Sequence, residues 1–173
     1  MVNKDQRTDD VIVIGAGISG LAVAYELWQR GVSVRIIDKA KRPGDAWRHR
    51  HPQLRLNTHR LLSRLPGMRI PRAAGAFPSR DSIISYIETY AEKLDVPIDY
   101  DIKVNHINKS GKNWKIDTDN GIYIADYVVV ATGYDSVPYI PKWLGRQTFK
   151  NKLIHAADFG DIENYKGKKV LVV

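Results

Sequence analysis

Three glycines near the N-terminus have the spacing of a loop that binds a diphosphate. Residues 15–20 read Gly-Ala-Gly-Ile-Ser-Gly and fit the pattern GxGxxG. Glycine at these positions lets the backbone approach a pyrophosphate, and the helix that follows supplies amide donors and a positive dipole end. The pattern therefore predicts cofactor contacts at five residues: Gly15, Gly17, Ile18, Ser19 and Gly20.

The flanking sequence predicts the elements that hold this loop. Residues 11–14 form an apolar run typical of a buried parallel strand, residues 18–30 have the spacing of a helix, and residues 32–38 form a second strand. Asp38 ends that strand, where its carboxylate could accept hydrogen bonds from an adenosine ribose and would repel the 2'-phosphate of NADP. The site should therefore take FAD or NAD, with Lys39 as a further contact.

The rest of the chain predicts a mixed α/β domain with a small β-meander. The arginine-rich region 39–78 is irregular. The remaining elements are predicted as a helix at 79–94, strands at 98–104, 113–118, 122–124, 127–131 and 170–173, and a hairpin turn at Asn120-Gly121.

Composition excludes several kinds of protein. The chain has no cysteine, which excludes a disulfide framework, a cysteine-ligated zinc site and a CxxC redox pair. His49 and His51 lack a carboxylate or thiol partner, so they are interpreted as solvated loop residues, and no metal site is predicted. No apolar run is long enough to cross a membrane and residues 1–10 are polar, which favours a cytoplasmic protein.

The net charge of +8 comes largely from nine arginines between residues 42 and 80. Without a nucleic-acid motif, a solvated basic surface is the favoured interpretation, and no nucleic-acid partner is predicted. The alternative is a groove that holds nucleotide phosphates.

Three further stretches complete a resemblance that spans residues 11–173. Residues 44–48 are similar to a Gly-Gly-x-Trp-Arg segment, with Asp45 at the second glycine, and residues 131–133 to an Ala-Thr-Gly motif. Residues 149–159 are similar to Phe-x-Gly-x-x-x-His-x-x-x-Phe/Tyr, with Asn151 at the glycine. Together with the glycine loop, they resemble the class B flavin-dependent monooxygenases, which include the flavin-containing monooxygenases. Baeyer-Villiger enzymes of this class end the last motif with Trp-Pro. Here the motif ends with Phe159 followed by Gly160, which is more similar to the branch that oxygenates heteroatoms.

The resemblance implies a Rossmann-like FAD-binding domain of the glutathione-reductase-like, two-dinucleotide-binding fold. Residues 1–145 would form that domain, and residues 146–173 a linker and the first strand of a truncated NADPH-binding domain. It implies Asn57 as a catalytic residue at the flavin face, although a loop asparagine that caps its own turn is an equal alternative. The further FAD contacts that it implies are Trp47, Arg48, Thr58, Val104, Ala131, Thr132 and Gly133.

The activity implied is a monooxygenase that uses FAD, NADPH and O2. Reduced FAD would add oxygen at C4a, and the hydroperoxide would oxygenate a small molecule with a nucleophilic nitrogen or sulfur or a carbonyl. The chain alone is expected to be inactive, and a homo-oligomer is compatible with the sequence. Two alternatives stay open: an FAD-dependent oxidase or NAD(P)H dehydrogenase without oxygenation, and a non-catalytic nucleotide-binding module.

Overall fold

A single six-stranded sheet organises the protein, with strand order β3-β2-β1-β6-β5-β4. The computed structural model describes residues 6–134 and 137–173, so the first half of the polar segment 1–10 lies outside the described residues. The strands are β1 (Gln6–Ile14), β2 (Val34–Ile37), β3 (Ile98–Asp99), β4 (Val104–Ser110), β5 (Asn113–Thr118) and β6 (Gly121–Val130). The helices are α1 (Ile18–Trp28), α2 (Asp45–Arg48) and α3 (Arg80–Lys93).

The central strand β1 pairs in parallel with β2 on one side and with β6 on the other. Ile14, the last residue of β1, is in register with Ile37 of β2 and with Val130 of β6. The carboxyl ends of these strands therefore meet at one edge. Because the strand order reverses at β1, this edge is where an open α/β sheet forms its ligand crevice.

Side chains alternate between two cores on opposite faces of the sheet. Val11 and Val13 of β1 face a core that also contains Leu21 of α1 and Ile87 of α3. The second core, on the face to which the β-meander contributes, contains Ile12, Ile14, Ile37, Ile102, Ile116, Tyr123 and Ala125. Burial on both faces explains why β1 is apolar throughout residues 11–14.

The first βαβ unit, the second long helix and the hairpin are confirmed. Helix α1 ends at Trp28, two residues earlier than predicted, and the chain turns at Gly31, whose φ is 73°. The side chain of Ser79 caps α3 by accepting a hydrogen bond from the Ser82 amide. Gly121 makes the hairpin turn with φ of 109°.

Three strand predictions were wrong. The strand predicted at 98–104 is interrupted by Asp101, which has a φ of 59°, and becomes β3 and the start of β4. The strands predicted at 122–124 and 127–131 are one continuous strand, β6. Residues 170–173 pair with none of the six described strands, and their assignment as the first strand of a further domain stays a prediction.

No helix within residues 6–134 and 137–173 has the length and apolar character needed to span a membrane.

A partly buried charge network ties the strands together. Arg35 of β2 donates to Asp9 of β1 at 2.7 Å and to Asp99 of β3 at 3.2 Å. Tyr123 of β6 donates to Asp99 at 3.0 Å. The Arg35 side chain is 18% exposed and that of Asp9 only 9%, so water screens this pair poorly.

Replacing Arg35 with methionine should lower the free energy of unfolding by about 2–3 kcal/mol, because it leaves two partly buried carboxylates without their cation. Urea denaturation of the two proteins measures this difference. The matched control is Arg30→Met, which breaks an ion pair with Glu26 whose side chains are 64% and 47% exposed. That change should cost less than about 0.5 kcal/mol. Equal losses in both variants would contradict the prediction.

Candidate nucleotide-binding site

The three glycines of the loop have different surroundings. A Cβ atom built on Gly15, whose φ is 112°, would lie 2.5 Å from the carbonyl oxygen of Ala131. One built on Gly20 would lie 1.8 Å from the carbonyl oxygen of Gly15. A Cβ on Gly17 would meet no atom within 4 Å. Gly15 and Gly20 therefore allow the loop, helix and sheet to pack, whereas Gly17 faces open space where a ligand could approach.

The amino end of α1 has the features of an anion site. Gly17 is its N-cap and has no side chain to accept from the first-turn amides, and that turn contains no acidic residue. Helix α3 differs, since Ser79 caps it. Orphan amides and the helix dipole at an uncapped start favour a phosphate group. Ile18 and Ser19 are exposed at this position, and their contact with the cofactor stays a prediction.

Asp38 holds the glycine loop in place. Its Oδ2 accepts from the Ala16 amide at 2.5 Å, and its Oδ1 accepts from the Ala40 amide at 2.7 Å. Hydrogen bonds to an ionised acceptor are stronger than neutral ones, so this carboxylate holds the loop to the carboxyl end of β2. Each carboxylate oxygen has a second lone pair, which leaves acceptor capacity for a ribose hydroxyl. The sequence did not indicate the contact with Ala16.

Tyr100 is a further polar residue beside Asp38 that sequence reasoning missed. Burial, and secondly the charge of Asp38, raise the pKa of Tyr100 to about 12. Like any tyrosine at neutral pH it keeps a hydrogen to donate, and the raised pKa extends this to alkaline pH. In the sequence, Tyr100 belongs to a run of apolar residues that alternate with polar ones from Ile98 to Val104, and this pattern predicted only a strand.

The segment that follows β6 lies against the glycine loop. The Ala131 amide donates to the Ile14 carbonyl at 2.8 Å, which extends the β1–β6 pairing by one residue. A Cβ on Gly15 would also come within 3.4 Å of the Thr132 amide nitrogen. Gly133 then turns the chain with φ of 74°. The structure therefore brings Ala131 and Thr132, which are more than 110 residues from the loop in sequence, to the same edge of the sheet.

Comparison with known proteins places this arrangement in a family. The profile described as pyridine nucleotide-disulphide oxidoreductase matches residues 12–173. The chain belongs to that family. The family description mentions a disulphide, but these 173 residues contain no cysteine and therefore cannot supply a redox-active disulphide.

Relatives of this family member are flavin monooxygenases and similar oxidoreductases. The uncharacterized oxidoreductase CzcO-like of Geobacillus kaustophilus is 38% identical and matches 97% of this chain and 48% of its own length. The probable indole-3-pyruvate monooxygenase YUCCA1 of Arabidopsis thaliana is 31% identical, with 99% and 44% covered. A flavin-containing monooxygenase from Stenotrophomonas maltophilia superposes with a TM-score of 0.86 at 30% identity, over 94% of this chain and 49% of that one.

These relatives confirm the resemblance to flavin-dependent monooxygenases and the Rossmann-like fold. The chain spans about half the length of the relatives it matches. The boundary predicted between residues 145 and 146 stays a prediction.

The segment similar to Gly-Gly-x-Trp-Arg forms a short helical turn. Gly44 has a φ of 72°, which glycine adopts without cost, and Asp45 begins α2. The position of Asp45 therefore needs no glycine. Trp47 packs against the first core, and Arg48 donates to the Pro43 carbonyl at 2.8 Å and pairs with Glu88 of α3. Both predicted contacts thus have structural roles, and FAD contact by them stays a prediction.

The other predicted site residues lie on separate segments. Asn57 and Thr58 are exposed on a loop held by backbone hydrogen bonds from Leu56 to Pro78 and from Arg60 to Ala76, both 2.9 Å. The Thr58 hydroxyl is 2.5 Å from that of Ser63. Lys39 is exposed next to Asp38, whereas Val104 packs against the second core on the edge strand β4. Within residues 6–134 and 137–173, no hydrogen bond or ion pair joins these side chains to the glycine loop.

Several of the arginines between residues 42 and 80 hold this region together. Arg55 donates to the Phe77 carbonyl at 3.1 Å, and Arg80 donates to Asp81 at 2.8 Å and to the Arg50 carbonyl at 2.9 Å. Part of the basic excess is therefore structural, which neither of the two sequence interpretations included.

The segment similar to the longest monooxygenase motif folds back onto the irregular region. His155 accepts from the Ala157 amide at 3.1 Å and so caps a short 3-10 turn. Asn151 does not have a positive φ, because Asp101 is the one non-glycine residue with a positive φ within residues 6–134 and 137–173. Phe159 contacts the His51 ring, with 5.5 Å between the ring centroids. The interpretation of His51 as a solvated residue was wrong, since its Nδ1 is buried.

Proposed function

We propose that this chain is the FAD-binding part of an FAD- and NADPH-dependent monooxygenase. The observation that carries the proposal is the edge of the sheet where the uncapped start of α1, the open space at Gly17 and the carboxylate of Asp38 adjoin. The flavin-containing monooxygenase from S. maltophilia, which has the same fold, supports it.

The residues of the chain would bind and orient FAD. The first-turn amides of α1 would donate to the pyrophosphate, and the remaining lone pairs of Asp38 would accept from the adenosine ribose. Ala131 and Thr132 would bring the backbone after β6 alongside the cofactor. The hydrogen bond from the Ala16 amide to Asp38 supports this placement, because it holds the glycine loop beside the carboxyl end of β2.

When bound, FAD would supply oxygen activation at its C4a carbon after reduction by NADPH. The role proposed for the protein is to exclude water and to present a polar group at the reacting face of the flavin. Asn57 is the proposed group, since its side chain is exposed on a loop tied by backbone bonds to the start of α3. The proposed substrate is a small molecule with a nucleophilic nitrogen or sulfur or a carbonyl, with O2 as co-substrate.

The test uses a protein that contains this chain followed by a nicotinamide-binding domain. It should purify yellow and release FAD on denaturation. Anaerobic NADPH should bleach the flavin, and admission of O2 should give a transient absorbance distinct from both oxidised and reduced flavin. Direct reoxidation with stoichiometric hydrogen peroxide would instead indicate an oxidase. A colourless protein that binds NAD but not FAD would indicate a non-catalytic module.

A further inference from the structure

The segment from His155 to Tyr165 forms its own compact unit. His155 caps the turn Ala156–Asp158, and Asp161 caps the turn Ile162–Tyr165 by accepting from the Glu163 amide at 2.9 Å. The ring of Tyr165 stacks on that of Phe159, with centroids 4.7 Å apart, and its hydroxyl donates to the Phe159 carbonyl at 2.7 Å. Local contacts therefore give the segment a defined shape.

One glutamine joins this unit to a loop that is more than 100 residues away in sequence. Gln53 Nε2 donates to Asp161 Oδ1 at 2.9 Å, and Gln53 Oε1 accepts from the Ile162 amide at 3.5 Å. Asp161 Oδ1 thus serves both the cap of its own turn and the bond to Gln53. Beside these bonds, the rings of His51 and Phe159 form a T-shaped pair with an interplanar angle of 75°.

These contacts contribute more to position than to stability. Gln53 is exposed, so water competes for both of its bonds and their net stabilisation is small. A planar amide that donates at 2.9 Å and accepts at 3.5 Å nevertheless restricts both the distance and the rotation of the bonded segment. The loop of Gln53 lies in the chain between Arg48 and Asn57, and the fixed segment leads to residues 166–173.

We propose that Gln53 is a positioning residue, which sets how the segment 155–165 leaves the FAD-binding domain. The effect of this residue on activity rests on the proposed function. In that case, the direction of this segment determines where a nicotinamide domain that follows presents its hydride donor to the flavin. The contact itself involves neither cofactor.

Hydrogen exchange of the present chain tests the contact without flavin. Gln53→Ala should make the amides of residues 157–163 exchange about fivefold faster, with no change in β1 or α1. Asp161→Ala should have a larger effect, because it also removes the cap of its own turn, and the double variant should add little to Asp161→Ala. Asp161→Asn should exchange like the wild type, because it keeps an acceptor oxygen. The matched control Gln29→Ala, at the exposed end of α1, should change nothing in 157–163.

Two results would overturn the proposal. The first is a failed exchange test, that is, unchanged exchange in Gln53→Ala or faster exchange throughout the chain in both alanine variants.

The second would come from flavin reduction in the protein with both nucleotide domains. There, Gln53→Ala should slow flavin reduction at saturating NADPH by about tenfold. Its FAD content, flavin spectrum and reoxidation by O2 should stay unchanged. An unchanged reduction rate would refute the positioning role. Wild-type protein without flavin would refute the proposed function but leave the exchange test valid.

Discussion

Gly20→Ala should lower the free energy of unfolding by at least about 3 kcal/mol. Gly17→Ala should instead leave the free energy of unfolding within about 1 kcal/mol of wild type and lower the affinity for flavin. Alanine at position 20 gains about 1 kcal/mol in helix propensity, but its Cβ would lie 1.8 Å from the Gly15 carbonyl oxygen. That atom is backbone and cannot rotate away, so the clash exceeds the gain.

The same substitution at position 17 tests binding separately from folding. The backbone there has φ of −79° and ψ of −178°, which alanine adopts freely, and its Cβ would meet no protein atom. The added methyl group would stand where a pyrophosphate approaches, and we expect at least about a tenfold loss of FAD affinity, or roughly 1.4 kcal/mol. Thermal unfolding and flavin titration measure the two quantities. Wild-type affinity in Gly17→Ala would contradict the placement of the pyrophosphate.

Asp38→Asn should weaken both the fold and the binding of FAD. Asparagine has one acceptor oxygen, so either the Ala16 or the Ala40 amide would face an NH2 group and lose its partner. The expected cost is about 1–3 kcal/mol in the free energy of unfolding. A loosened loop and the loss of an ionised acceptor for the ribose should lower FAD affinity by about 10- to 100-fold.

The control for Asp38 is Asp10→Asn, because Asp10 is exposed and its carboxylate accepts one bond, from the Ser33 amide at 3.2 Å. It should cost less than about 0.5 kcal/mol.

Competition between FAD and either ADP or its 2'-phosphorylated form isolates the contact of Asp38 with the ribose. Wild-type protein should prefer ADP, and Asp38→Asn should reduce that preference. An unchanged preference would mean that Asp38 serves the loop alone.

The parts that could be predicted from the sequence are those determined by local spacing. The unit β1–α1–β2 follows from an apolar run, glycine spacing and helical periodicity within about 30 residues. The cap at Ser79 follows equally from its neighbours. Residues 15–20 were predicted correctly to lie at a helix start for the same reason.

What was missed depends on contacts distant in sequence. The direction of the Asp38 carboxylate depends on a loop 22 residues earlier, and the burial of His51 depends on Phe159. The strands predicted at 122–124 and 127–131 are joined through Asp126, whose exposed side chain accepts a bond from Asn113 of the neighbouring strand β5.

The continuity of β6 has a consequence for how this protein tolerates insertions and deletions. Its first half pairs with β5 and its whole length from Ile122 pairs with β1, so one strand carries the hairpin at one end and leads into Ala131 at the other. One residue added inside β6 would exchange its two faces and shift the Ala-Thr-Gly turn by about 3.3 Å. Length variation should therefore be confined to the turn at Asn120, which is exposed and lies outside both strands, whereas Asp119 bonds the backbone of Lys103.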